Sequence, residues 1–162
     1  MKLFSCILIL SFFLFGCGTD KPPIPEESSI SSETLKETET AKINISDMLA
    51  TAEENSLKLN KKLSEDPSLT QTDMNQLSFE IYKIWDDLLN ELWAVLKDTL
   101  NEETMNNLLE EQRMWIQTKE EEIKNAGNEF AGGSMATLAS NQKAAELTKI
   151  RVYELSTYLE FE

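Results

Sequence analysis

The sequence predicts an all-α fold, an antiparallel bundle of three to four helices. Two observations make the prediction. Apolar residues recur at spacings of three and four over long stretches, and no run shows the alternation of a strand. The breaks between those stretches are short and hold the punctuating residues Pro67, Asn101 and Gly127 to Gly133. Long helices with short connections pack as antiparallel neighbours.

The first element is an export signal, not part of the bundle. Lys2 gives a positive start, and Leu3 to Phe15 is an almost unbroken apolar run. That run is short of the roughly 20 residues a membrane-spanning helix needs. A charged start, a short apolar stretch and then small residues read as a secretory signal. Leu14-Phe15-Gly16-Cys17 resembles a bacterial lipobox. The resemblance implies cleavage before Cys17 and a lipid on its thiol, anchoring the chain to a membrane at the cell's outer face. Residues 1–16 are the expected signal peptide. Residues 17–40 are rich in Pro, Ser, Thr and acid, a composition that cannot bury enough apolar surface to fold. They are expected to form a flexible tether, and residues 41–162 the helical domain.

Within the domain, Ile45, Met48, Leu49, Ala52, Leu59 and Leu63 give a first helix, clearest from Asp47 to Leu63, which ends before Pro67. Thr70 can cap a second helix, with Asp73 in the first turn, where the helix dipole favours a negative charge. Leu77, Ile81, Ile84/Trp85, Leu88, Leu92 and Val95/Leu96 mark its buried face, to about Leu100. Asn101 caps a third helix carrying Met105, Leu108/Leu109, Gln112, Trp115/Ile116, Ile123 and Ala126. Gly127 is expected to stop it in the left-handed conformation, with Asn128 to Gly133 as a loop. Ser134 is expected to cap a fourth helix with Leu138, Ala145, Thr148, Val152, Leu155 and Leu159 on one face. Trp85, Trp93 and Trp115 read as core or core-edge residues.

Composition narrows function. The chain has 29 acidic and 15 basic side chains, a formal net charge of −14. Loss of Lys2 with the signal takes this to −15. Nucleic-acid binding needs basic patches and is not expected. The charge suits a cationic partner, or plain solubility at a crowded surface. Cys6 leaves with the signal and Cys17 takes lipid, so the folded part has no thiol. There are no histidines, which removes the commonest general base, the Ser-His and Cys-His nucleophiles and the usual zinc sites. Carboxylate-only catalysis remains chemically possible, but no acid pair stands out among 29. The expected protein is not an enzyme and needs no metal or cofactor.

Five short motifs then carry a family resemblance. They are Thr70-Gln71-Thr72-Asp73-Met74-Asn75, Asp86-x-x-Leu89-Asn90, Gln112-Arg113-x-Trp115-Ile116, Gly132-Gly133-Ser134-Met135 and Leu147-Thr148-x-x-Arg151-x-x-x-Leu155. In this order and spacing they resemble the domain of the lysozyme inhibitor LprI-like lipoproteins, over residues 70–159. Many members of that family carry cysteines near three positions occupied here by Leu77, Ile123 and Lys143. Lys119-Glu120 stands where the family often has an Arg-Asp pair.

The chain has only two arginines, Arg113 and Arg151, and both fall in these motifs. An arginine fork suits bidentate contacts inside a fold. Asp86, Asn90 and Gln112, with Arg113 or Arg151, are therefore expected to form a polar network that sets helix register; the other reading is a binding site. The loop Asn125 to Ser134 is the first place to seek a partner contact, with Asn125, Asn128, Gly132, Gly133 and Ser134 as candidates, although the glycine pair has a simpler role as a turn. The resemblance implies binding and inhibition of lysozyme. The alternative is a non-enzymatic envelope adaptor for another surface protein or a wall polymer.

Overall fold

The computed structural model describes the backbone of residues 33–159 and the side chains of residues 45–159. Cys17, the signal sequence and the tether to residue 32 lie outside the described residues. Four helices follow one another: α1 (Glu33–Glu65), α2 (Gln71–Thr99), α3 (Glu102–Asn128) and α4 (Met135–Thr157), with no strand among the described residues. The fold is an all-α bundle. α1 begins within the stretch expected to be tether: Thr34 to Thr40, polar and Thr-rich, is continuous with the helix.

The starts of the helices follow from local chemistry. Asp66 accepts bonds from the Ser68 amide and hydroxyl, which turns the chain around Pro67. Thr70 and Asp73 then form a reciprocal capping box: each side chain takes the other's backbone N–H, at 3.2 and 2.9 Å. The Thr70 hydroxyl also donates to the Asp73 carboxylate, and that bond, then the one from the Thr70 amide, holds the exposed carboxyl below its usual range. Asn101 caps α3 through a 2.9 Å bond from the Thr104 amide. Ser134 occupies the cap position of α4, but its side chain makes no capping bond. The turn is closed instead by backbone bonds such as Gly133 N–H to the Phe130 carbonyl at 2.9 Å.

Gly127 also departs from expectation. It lies inside α3, and the left-handed glycine is Gly132, at φ +78°. What Gly127 provides is space: a Cβ there would sit 2.5 Å from Ser140 Oγ on α4. The glycine lets the end of α3 approach α4 closely.

α2 and α4 form the centre of the bundle, with α1 packed on α2 and α3 on α4. The central pair runs parallel. Asn141 bonds to the Asn75 carbonyl and Ser78 near the start of both helices, and Trp85 meets Tyr153 further along, ring centroids 6.2 Å apart. α3 runs antiparallel to α4, so Gln112 meets Arg151 at one end and Ile123 meets Ser140 at the other. Small side chains on α4, among them Ala144, Ala145 and Thr148, are buried and allow close packing.

Leu92, Leu96, Leu108, Val152 and Leu155 are fully buried, and Trp85 nearly so. Burying each such side chain is worth about 1.5–3 kcal/mol. α3 is shallowly embedded: only Leu108 and Gln112 are buried on it, while Met114 and Ile116 are exposed. Trp93 and Trp115 pack against the core edge.

Candidate functional site

Arg151 on α4 is 7% exposed, the one buried cation among the described residues. A buried charge is costly unless its donors are met. Its Nε donates to Gln112 Oε1 on α3 at 2.9 Å, and one terminal nitrogen donates to Glu154 at 2.9 Å. The other terminal nitrogen is buried without a hydrogen-bond acceptor and lies 3.9 Å from Glu111. The Tyr158 hydroxyl donates to the same Glu111 carboxylate at 3.3 Å. Two carboxylates on the water side thus balance one guanidinium on the core side.

A second cation sits along the same face of α3. Lys119 places its ammonium 4.8 Å from the Trp115 ring centre, 5.4 Å from that of Tyr82 and 3.8 Å from the Asp86 carboxylate. Its side chain is only 13% exposed. Tyr82 donates to Asp86 at 3.0 Å, and its phenol is pushed up to about 12 by burial and then by that bond. The Arg151 guanidinium lies 6.0 Å from the Trp115 centre, so one indole serves two cations. Cation–π contacts of this kind contribute roughly 0.5–2 kcal/mol each.

The expected network is therefore partly rearranged. Gln112 and Arg151 meet. Asp86 pairs with Lys119 rather than an arginine. Asn90 is exposed and bonds to the Asp86 carbonyl one turn back in its own helix. Arg113 is exposed and pairs with Glu110 on its own helix. The cause is helical geometry: one residue after the buried Gln112, the side chain points about 100° away. Lys119 was overlooked as the partner of Asp86, since it reads as paired with Glu120. The signal was present: Gln112, Trp115 and Lys119, spaced three and four apart, share one face.

Asn125 and Asn128 lie on the last turns of α3 rather than in the expected loop, because the helix runs on through Gly127; Gly132, Gly133 and Ser134 lie in the α3–α4 turn, and all five are at the surface. Two larger apolar residues stand with them, Phe130 at 43% and Met135 at 39% exposure.

The model of the family described as lysozyme inhibitor LprI matches residues 62–155, more than half of the chain. The chain belongs to the LprI family. No curated protein and no solved structure matches it.

The LprI match covers the last turn of α1 and then α2, α3 and most of α4. It takes in the Gln112–Arg151 pair, the Lys119 cluster and the glycine turn. Where many LprI proteins carry cysteines, Leu77 is buried, Ile123 is half-buried and Lys143 pairs with Glu146 at 2.7 Å. Most of α1 lies outside the matched residues, yet it is bonded to the LprI helices. Glu53 on α1 accepts from Lys149 at 2.6 Å and from the Tyr153 hydroxyl at 2.8 Å. Burial pushes Glu53 up, but these two donors outweigh it and hold the carboxyl below its usual range. Lys149 also lies 5.0 Å from the Trp85 ring centre.

Proposed function

We propose that this chain is a lipid-anchored surface protein that binds and inhibits lysozyme. The family match carries the reading. The N-terminal signal and lipobox-like Cys17 support display at the outer face of a membrane, held by lipid. The charge supports the partner. Animal lysozymes are cationic, and a domain near −15 attracts a cation over a Debye length of roughly 8–10 Å at physiological salt. Charge speeds encounter but does not choose among basic proteins, so the contact also needs shape and apolar area.

The α3–α4 turn is the surface that supplies them. Phe130 and Met135 project beside the glycines, on a turn braced by the close approach of Gly127 to Ser140. An aromatic on a rigid turn loses little entropy on binding and is suited to enter a partner's cleft. The role of the domain is binding, with no chemistry of its own.

The test is a cell-wall lysis assay in which the protein and its Phe130→Ser/Met135→Ser variant are titrated against lysozyme. Inhibition by the parent and its loss in the variant support the reading. Absence of inhibition by the parent, with another envelope protein recovered on a surface pull-down, transfers it to the adaptor class.

A further inference from the structure

Where α1, α2 and α4 meet, the bundle leaves a cleft of about 270 Å³. It exists because three inward positions carry small residues. Ser56 on α1 is 3% exposed, Ser78 on α2 1%, and Ala145 on α4 is buried. A leucine at any of them would fill the junction, as leucines do elsewhere in this core. The cleft is polar at its floor and rim: Ser56 and Ser78 below, and Asn60 and Gln142 above. Ile81 and the buried indole of Trp85 form the apolar wall.

The charges at the rim are already matched. Lys149 is held by Glu53 at 2.6 Å, and Glu146 by Lys143 at 2.7 Å. A charged ligand has to break one of these pairs, whereas a neutral one does not. The Ser56 and Ser78 hydroxyls donate to the Glu53 and Asn75 carbonyls, and Ser78 Oγ also accepts from Asn141 at 3.1 Å, so what they turn to the cleft is acceptor capacity, most of it on Ser56. The Asn60 amide donates to the Ser56 carbonyl at 2.9 Å, which leaves its oxygen and second N–H for a ligand, and the Gln142 carboxamide both donates and accepts. A ligand for this lining is neutral, rich in hydroxyls and able to use an amide. The volume sits just under the roughly 300 Å³ at which small-molecule pockets begin, which fits one ring and not a chain.

We propose that this cleft binds a single neutral N-acetylated sugar ring. Its hydroxyls face the serines, its acetamido group the Asn60 and Gln142 carboxamides, and its methyl the wall formed by Ile81 and Trp85. The site is separate from the α3–α4 turn, and does not depend on lysozyme binding.

The test titrates N-acetylglucosamine into the full chain, followed by calorimetry and saturation-transfer NMR, with glycine as a zwitterionic control. A single small ring in a half-polar cleft should bind with a Kd of about 1 mM. Ser56→Leu fills the cleft and should weaken binding at least about tenfold, the equivalent of 1.4 kcal/mol. Gln142→Ala, at an exposed rim position, should weaken it severalfold with an unchanged melting curve, and keeps the test decisive if Ser56→Leu does not fold. No saturable binding of the sugar, binding indifferent to Gln142→Ala, or equal binding of glycine overturns the proposal.

Discussion

Arg151 on α4 donates from Nε to the side-chain oxygen of Gln112 on α3, 2.9 Å away, and both residues are 7% exposed. They are 39 residues apart in sequence and fix the register of the two helices at one end, as Gly127 and Ser140 do at the other. Arg151→Lys should destabilise the protein by about 1.5–3 kcal/mol, the range for a hydrogen bond to a charged group. Lysine cannot reach Gln112, Glu154 and the Trp115 face at once. Chemical denaturation measures the change, and an unchanged midpoint contradicts a register role. Arg113→Lys, at the surface, should change stability by less than about 0.5 kcal/mol.

Thr148 offers the opposite case. It is fully buried on α4, and its hydroxyl oxygen has no hydrogen-bond partner. Thr148→Val keeps the shape and removes an unpaired polar group, so it should stabilise the protein by about 1 kcal/mol. A lower melting temperature would show that the hydroxyl has a partner.

Gly127 and Ser140 should be non-additive. Gly127→Ala improves helix propensity by about 0.8–1 kcal/mol, but its new Cβ meets Ser140 Oγ at 2.5 Å. Ser140 must rotate and give up its long 3.4 Å bond to the Ile123 carbonyl. The single change should therefore be nearly neutral, and Gly127→Ala with Ser140→Ala should be the more stable variant. Gly132→Ala differs in kind. Nothing lies within 4 Å of its added Cβ, but φ is +78°, so it should cost about 1–2 kcal/mol of backbone strain. A double-mutant cycle and one melting curve check both.

The Glu53 contact should be sensitive to acid. Its folded-state carboxyl is held below the ordinary 4.5 by Lys149 and Tyr153 against the upward push of burial. The stability it contributes is fully present above 4.5 and is lost as pH falls through the lowered folded value. The stability difference between the parent and Glu53→Gln should thus be present at neutral pH and close on acidification. A difference that persists in acid would mean that the charge of Glu53 is not what ties α1 to α4.

The bundle was legible because its periodicity is strong where helices face the core. The face read for α2 is buried from Leu77 to Leu96, and the Thr70 and Asn101 caps form as read. The start of α1 was not, because Thr34 to Thr40 has helix-compatible residues without an apolar stripe. Gly127 was misread since a glycine near a helix end has two uses, a left-handed stop or a close approach, and only the position of Ser140 separates them. Of the polar network, Gln112 and Arg151 could be paired by residue type. The role of Lys119 required knowing that Trp115, Tyr82 and Asp86 converge from two helices, which no local pattern encodes. Phe130 and Met135 escaped notice because exposure is a tertiary property.

Lysozyme inhibition measured at low and at physiological salt tests the central claim most directly. Specific recognition through the α3–α4 turn predicts inhibition that survives physiological salt and disappears in the Phe130→Ser/Met135→Ser variant while its melting curve stays unchanged. Inhibition confined to low salt, or equally strong in that variant, would contradict it and leave only the attraction of an acidic surface for any basic protein.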